Sequence, residues 1–139
     1  MKRCLLDTGA LVAFFDHGDA THAAVVQWMA GFTGEFLTTG AVITEAFHLV
    51  ADDTRAVQAL AEFLQQPGIR IPDCFEPGAL ERASELMRKY RDVPMDFADA
   101  TLVWLAEESG TESILTLDER GFRTFRHNRN RTFRLVLRD

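Results

Sequence analysis

Four acidic residues far apart in the chain stand where short apolar segments end or where helices are predicted. They are Asp7, Glu45, Asp99 and Asp118. Asp7 directly follows the apolar run Arg3 to Leu6, and Asp118 follows Ser113 to Leu117. In open α/β sheets, ligands bind at the carboxyl ends of the strands, and a buried carboxylate there is costly without a cation or hydrogen-bond donors. We therefore expect these side chains to meet at one edge of a sheet.

The chemistry that such a cluster favours is metal binding. Like charges in one cleft repel each other unless cations neutralise them or their pKa values rise. Ligand sets made only of oxygen select hard ions such as Mg²⁺ or Mn²⁺, which keep bound waters for reaction with phosphates. A bound ion can activate a water and stabilise a leaving oxygen. The carboxylates thus predict a divalent-metal site, with Asp96 as a further candidate ligand near Asp99.

Each carboxylate also has an ordinary structural explanation. Asp7 could form a turn by accepting the Gly9 amide. Asp96 is a good N-cap, and Asp99 stands at the reciprocal position of a capping box. Glu45 could be a solvated helix residue, and Asp118 could be a turn residue before a Glu-Arg-Gly sequence.

The elements that would position these residues alternate along the chain. Apolar runs bounded by Gly, Pro and Thr predict strands, and apolar residues three and four apart predict helices. The predicted strands are 3–6, 35–39, 69–71, 113–117 and 133–137, and the predicted helices are 10–15, 21–29, 40–50, 54–66, 77–90 and 98–106. This alternation predicts an α/β sandwich with a central, mainly parallel sheet of four to five short strands. We expect residues 1–139 to form a single domain.

Charge is distributed unevenly along the chain. The net charge is −6, but residues 1–119 hold 8 basic against 20 acidic residues, whereas residues 120–139 hold 7 Arg against one Asp. The tail could be a basic strip that holds phosphates beside an acidic pocket, or an internal electrostatic clasp. The arginines that are candidates for binding nucleic-acid phosphates are Arg120, Arg123, Arg126, Arg129 and Arg131.

The remaining composition limits the class of protein. No stretch reaches the roughly 18 apolar residues of a membrane span, and Asp7 interrupts the first apolar run too early for a signal peptide. The two cysteines, Cys4 and Cys74, have no partners at zinc-site spacing and are predicted to stay reduced. We expect a cytoplasmic protein.

In their order and spacing, four sequence motifs resemble those of the PIN-domain ribonucleases, and in particular the VapC-like toxins of bacterial toxin–antitoxin pairs. The motifs are Leu5-Leu6-Asp7-Thr8, Thr44-Glu45, Asp96-Phe97-Ala98-Asp99-Ala100, and Leu115-Thr116-Leu117-Asp118 with Phe122. They cover nearly the whole chain. Each motif alone is weak, and the ordered set carries the resemblance.

The resemblance implies a PIN-like three-layer fold and a metal-dependent endoribonuclease. By position, Asp7, Glu45, Asp99 and Asp118 correspond to the family's acidic quartet around Mg²⁺ or Mn²⁺, while Thr8 and Thr116 correspond to the hydroxyl residues that support its first and last members. The family's proteins are commonly homodimers and are inhibited by a cognate antitoxin protein.

Other functions remain open at this stage. The acidic pocket could belong to a non-catalytic interaction module that receives a partner's Arg or Lys, because carboxylates attract guanidinium as they attract metal. The same chemistry could also act on DNA. An aspartic protease, suggested by Leu5-Leu6-Asp7-Thr8-Gly9-Ala10, conflicts with the many predicted helices, and a phosphorylated receiver domain would need a lysine near the last strands, where none occurs.

Overall fold

The computed structural model describes residues 2–139, which form five short strands and seven helices. The strands are β1 (Arg3–Leu6), β2 (Glu35–Leu37), β3 (Ile69–Arg70), β4 (Ser113–Leu115) and β5 (Arg134–Leu135). The helices are α1 (Thr8–Phe15), α2 (His22–Ala30), α3 (Gly40–Val50), α4 (Thr54–Leu64), α5 (Pro77–Lys89), α6 (Phe97–Ser109) and α7 (Glu119–Thr124). The predicted α/β class is confirmed.

The strands make one fully parallel sheet in the order β3-β2-β1-β4-β5. Leu5 lies opposite Leu37 of β2 on one side and Ile114 of β4 on the other. The chain therefore winds outward from β1 in both directions, and β1 and β4 meet at a topological switch point. In open parallel sheets this is where ligands bind, beyond the carboxyl ends of the strands.

Helices cover the sheet in two groups. Helix α1 packs against α2, α3 and α4, whereas α5 packs against α6. The core helix is α6, in which residues 100–106 are buried on every side. This burial follows from its sequence, because the run of Ala, Leu, Val and Trp is broken only by Thr101, whose hydroxyl bonds to the carbonyl of Ala98 inside the helix. Helix α6 is thus a rigid base for the carboxylates at its first turn.

The hydrophobic pattern located every strand and gave the exact bounds of β1, but it overestimated the lengths of the other four strands. The predicted strand 35–39 ends at Leu37, because Thr39 turns to become the N-cap of α3. The strands predicted over 113–117 and 133–137 shrink to three and two residues. Helix α6 was predicted to stop at residue 106, yet it continues until Gly110 adopts a left-handed conformation at φ 66°.

One helix was missed altogether. The sequence pattern predicts no element over residues 119–124, but they form α7, with Asp118 as its N-cap. Its sequence contains Gly121 and only one buried aromatic residue, Phe122, so it shows no helical period that a sequence pattern could reveal. Across the part of the chain described, no helix is long and apolar enough to cross a lipid bilayer.

Candidate active site

Asp7 is a buried carboxylate at the carboxyl end of the central strand. Its Oδ1 accepts the backbone N–H of Thr8 at 2.8 Å, and its Oδ2 accepts the hydroxyl of Thr116 at 2.6 Å. The backbone N–H of Asp7 donates to the carbonyl of Leu115 at 3.1 Å, which continues the β1 to β4 ladder past the last strand residue. The turn-forming bond to Gly9 is replaced by the bond to Thr8, so Asp7 is also the N-cap of α1.

Thr116 connects two of the candidate carboxylates. Its Oγ1 donates to Asp7 and accepts the backbone N–H of Asp118 at 2.9 Å. The resemblance assigned Thr8 to the first carboxylate and Thr116 to the last, but the structure gives the hydroxyl contact with Asp7 to Thr116. The hydroxyl of Thr8 is the one buried side-chain polar atom of residues 2–139 that has no hydrogen-bond partner.

Asp96 and Asp99 form a complete capping box at the start of α6. The N–H of Asp99 donates to Asp96 Oδ1 at 2.8 Å, and the N–H of Asp96 donates to Asp99 Oδ2 at 3.2 Å. The capping roles inferred from the spacing are therefore present. They do not exclude metal binding, because each carboxylate keeps a second oxygen for which the structure gives no hydrogen bond within residues 2–139.

Asp118 is an exposed member of the group, as Asp96 is. It caps α7 by accepting the N–H of Gly121 at 3.0 Å. A Cβ placed on Gly121 would clash with Asp118 Oδ2, so glycine leaves room here for the carboxylate. Asp118 and Thr116 are tied by backbone and side chain, and this fixes the acid close to Asp7.

Burial and mutual repulsion raise the pKa values of the two inner carboxylates. Burial is the main cause for Asp7, with smaller contributions from Asp118 and Asp96, and two hydrogen bonds hold the pKa of Asp7 at about 6. Burial also dominates for Asp99, followed by the charges of Asp7 and Asp96, and its pKa rises to about 8. These effects act between side chains from β1, α6 and α7, so the structure brings Asp7, Asp96, Asp99 and Asp118 to one edge.

Among residues 2–139, Glu45 makes no contact with the four aspartates through a hydrogen bond. It lies half-buried on α3, and within residues 2–139 its carboxylate makes no hydrogen bond or ion pair. The charges that raise the pKa values of Asp7 and Asp99 are those of the aspartates in the group. Glu45 does lie on a helix whose start is fixed to α6, because the hydroxyls of Thr39 and Thr101 are 2.8 Å apart. Sequence reasoning missed this contact, although a Thr before a predicted helix is a recognisable capping signal.

The carboxylates as they stand fit a metal ion only in part. Within the described range 2–139, no three His, Cys, Asp or Glu side chains converge closely enough to enclose an ion. Three observations favour binding all the same: an oxygen-only donor set, carboxylates with raised pKa values, and the unpartnered Thr8 hydroxyl next to Asp7. A cation would relieve the repulsion that the raised pKa values express.

The arginines of the tail are divided between two ends of the molecule. Arg123 forms a bidentate pair with Asp139 at 2.7 and 3.0 Å, and Arg131 lies 3.4 Å from Glu112. Glu112 precedes β4, at the amino ends of the strands, and Arg129 lies in the turn that the His127 to Arg131 bridge closes at this end.

Arg126 donates to three carbonyls at the end of α7, while Arg120 follows Asp118 by two residues. The five arginines therefore do not form one strip beside the carboxylates, and a clasp describes Arg123 and Arg131 better.

Comparison with known proteins agrees with this architecture. The family model described as PIN domain matches residues 4–128. The chain is 32% identical over 124 residues to Ribonuclease VapC26 of Mycobacterium tuberculosis, covering 88% of this chain and 91% of that protein.

Two solved structures share the fold. VapC20 of M. tuberculosis, described as a Sarcin-Ricin loop cleaving toxin, superposes with a TM-score of 0.77 at 22% identity, covering 85% of this chain and 91% of its own. A toxin–antitoxin complex from Klebsiella pneumoniae gives a TM-score of 0.67 at 18% identity, covering 88% and 92%. The fold, the match of a family model to most of the chain and the identity with VapC26 lead to one conclusion: this chain belongs to the PIN-domain family, among its VapC-like members.

Proposed function

We propose that this protein is a Mg²⁺- or Mn²⁺-dependent endoribonuclease and the toxin component of a toxin–antitoxin pair. The observation that carries the proposal is the sharing of one sheet edge by Asp7 and Asp99, whose pKa values both rise through burial and the charges around them. A cation would relieve the repulsion among these carboxylates, which suits metal-assisted phosphodiester hydrolysis. The ribonuclease name of the relative VapC26 supports the choice of RNA.

In this proposal each carboxylate has a distinct role. Asp7 and Asp99 hold the metal, and Thr116 orients Asp7 by donating to its Oδ2. Asp118 is exposed, so it can accept a proton from the attacking water, while Asp96 serves mainly as the cap that fixes Asp99. Glu45 completes the pocket if its side chain turns toward the N-terminus of α6. A bound divalent ion would supply a water of lowered pKa and neutralise charge on the phosphate.

Two measurements test the proposal. Calorimetric titration of the wild type with Mn²⁺ should give a saturable heat signal, and incubation with single-stranded RNA should give cleavage that requires the metal. Asp7→Asn should abolish both while the circular dichroism spectrum stays unchanged. Asp52→Asn is the matched control, since Asp52 is an exposed carboxylate in a turn and should behave as wild type.

The outcomes separate this proposal from its rivals. Full cleavage by Asp7→Asn with Mn²⁺ would refute the assignment of the site. Absence of both heat signal and cleavage in the wild type would favour a non-catalytic module whose carboxylates receive a partner's arginine. Cleavage of DNA in preference to RNA of the same sequence would indicate a DNA-directed nuclease.

Partners and location are part of the same proposal. The relative from K. pneumoniae is described as a toxin–antitoxin complex, which supports a cognate antitoxin protein as an inhibitor of this chain. We further propose a homodimer, a single PIN-like domain over residues 1–139, and action on RNA in the cytoplasm.

A further inference from the structure

An exposed aromatic side chain lies at the rim of the carboxylate edge. Phe75 is 52% exposed, which is unusual for a phenylalanine, and it belongs to the segment between β3 and α5. Its ring lies 6.1 Å from the ring of Phe97 at an interplanar angle of 26°, an offset stack. Phe97 directly follows Asp96, so the pair of rings borders the first turn of α6.

The position of Phe75 is fixed from two other sides. A Cβ built on Gly40, the first residue of α3, would lie 3.0 Å from Phe75 Cε2, so the ring packs against the start of that helix. The backbone N–H of Phe75 donates to Asp73 Oδ1 at 2.8 Å, which holds the preceding turn. The ring therefore lies between the N-termini of α3 and α6, the two helices that carry Glu45 and Asp99.

We propose that Phe75, supported by Phe97, is a stacking platform for an unpaired nucleobase of the substrate. The inference rests on the proposed ribonuclease function and names the part of the RNA that is recognised. Bases stack on aromatic rings without regard to sequence, because every base has a π-face. A phosphodiester held at the carboxylates would place the bases of its neighbouring nucleotides over the adjacent rim, where this ring is the exposed aromatic surface. RNA recognition commonly uses aromatic residues in this way on unpaired nucleotides.

Equilibrium binding in EDTA tests the platform without cleavage. The probe is a fluorescent single-stranded RNA of mixed sequence, compared with a chain of the same length that has ribose and phosphate but no bases. Phe75→Ala and Phe75→Leu should each weaken binding of the RNA about tenfold and leave the abasic chain unaffected, whereas Phe75→Tyr should retain affinity. Leu49→Ala is the matched control. Leu49 is 58% exposed and lies at the C-terminal end of α3, away from the N-terminus against which Phe75 packs.

Other results would overturn the proposal. Unchanged RNA affinity in Phe75→Ala, or full affinity in Phe75→Leu, would show that no base stacks there. A change of sedimentation state in Phe75→Ala with unchanged RNA affinity would assign the ring to contact with a second copy of this chain. The binding assay needs no metal, so it separates the platform from the nuclease. If the wild type cleaves RNA but Phe75→Ala binds RNA as tightly as the wild type, the platform alone is refuted. If the wild type cleaves no RNA but Phe75→Ala still binds RNA more weakly, only the nuclease is refuted.

Discussion

The hydroxyl of Thr116 donates to Oδ2 of Asp7 at 2.6 Å, between residues 109 positions apart. The same hydroxyl oxygen accepts the backbone N–H of Asp118, so one side chain joins the ends of β1 and β4. A hydrogen bond to a charged group contributes roughly 1.5–3 kcal/mol. This bond is thus large enough to fix the orientation of Asp7 and to offset part of the rise in its pKa that burial causes.

Replacing Thr116 tests this link. Thr116→Val keeps the shape but removes the donor, so the pKa of Asp7 should rise above about 6 and RNA cleavage at pH 7 should fall about tenfold or more. Thr116→Ser keeps the hydroxyl and should retain most of the activity. The pKa can be followed by NMR titration of the Asp7 carboxyl carbon. Equal pKa values in the two variants would contradict the role assigned to the hydroxyl.

The raised pKa values predict an unusual pH dependence of stability in metal-free protein. A carboxyl whose pKa is higher in the folded than in the unfolded state stabilises the fold below its unfolded pKa, and this contribution is lost as the pH rises through the folded value. For Asp7 and Asp99 the loss should occur between about pH 4 and pH 8. Asp99→Asn can still accept the Asp96 N–H, so its melting temperature should exceed that of wild type by a few degrees at pH 8 and by little at pH 4.

Asp139 offers a control of opposite sign. Its bidentate pair with Arg123 lowers the pKa of its carboxyl, so its contribution is present at neutral pH and is lost on acidification. Asp139→Asn should therefore lower the melting temperature at pH 8 slightly, as expected for an exposed pair. If Asp99→Asn also lowered the melting temperature at pH 8, the carboxylate cluster would not be strained.

Two glycines provide a matched test of the space around Asp118. Gly121→Ala would bring a methyl group into a clash with Asp118 Oδ2 and must displace that carboxylate, so RNA cleavage should fall while the protein still folds. Gly78→Ala meets nothing within 4 Å in α5 and should stabilise the protein by about 0.5–1 kcal/mol without changing activity. Comparison of cleavage rates and urea midpoints distinguishes the two, and normal cleavage by Gly121→Ala would remove Asp118 from the site.

The arginines should differ in their effect on RNA binding. Within residues 2–139 the guanidinium of Arg120 makes no ion pair, and it lies two residues from Asp118, so Arg120→Ala should weaken RNA binding and reduce the slope of log affinity against log salt by about one. Arg131→Ala, at the opposite end of the sheet, should leave that slope unchanged. Equal slopes for the wild type, Arg120→Ala and Arg131→Ala would show that Arg120 does not contact phosphate.

Sequence reasoning reached the fold because its signals are local and repeated. Apolar runs such as Arg3–Leu6 and the spacing of Val42, Ala46 and Val50 depend only on neighbouring residues. It also placed the carboxylates near strand ends and helix starts. It could not show that Thr116 rather than Thr8 contacts Asp7, since that depends on the β1 to β4 register, nor that Arg129 and Arg131 lie at the far end, since that follows from where the tail folds back.

The bond between Asp7 and Thr116 also bears on how the chain is made. Thr116 is translated 109 residues after Asp7, and the helix capped by Asp118 follows it. Every nascent chain that stops short of β4 lacks a neighbour for the central strand on that side and has only part of its acidic edge. A nascent chain of this protein therefore acquires the site of the proposed nuclease only after β4 and α7 have been made.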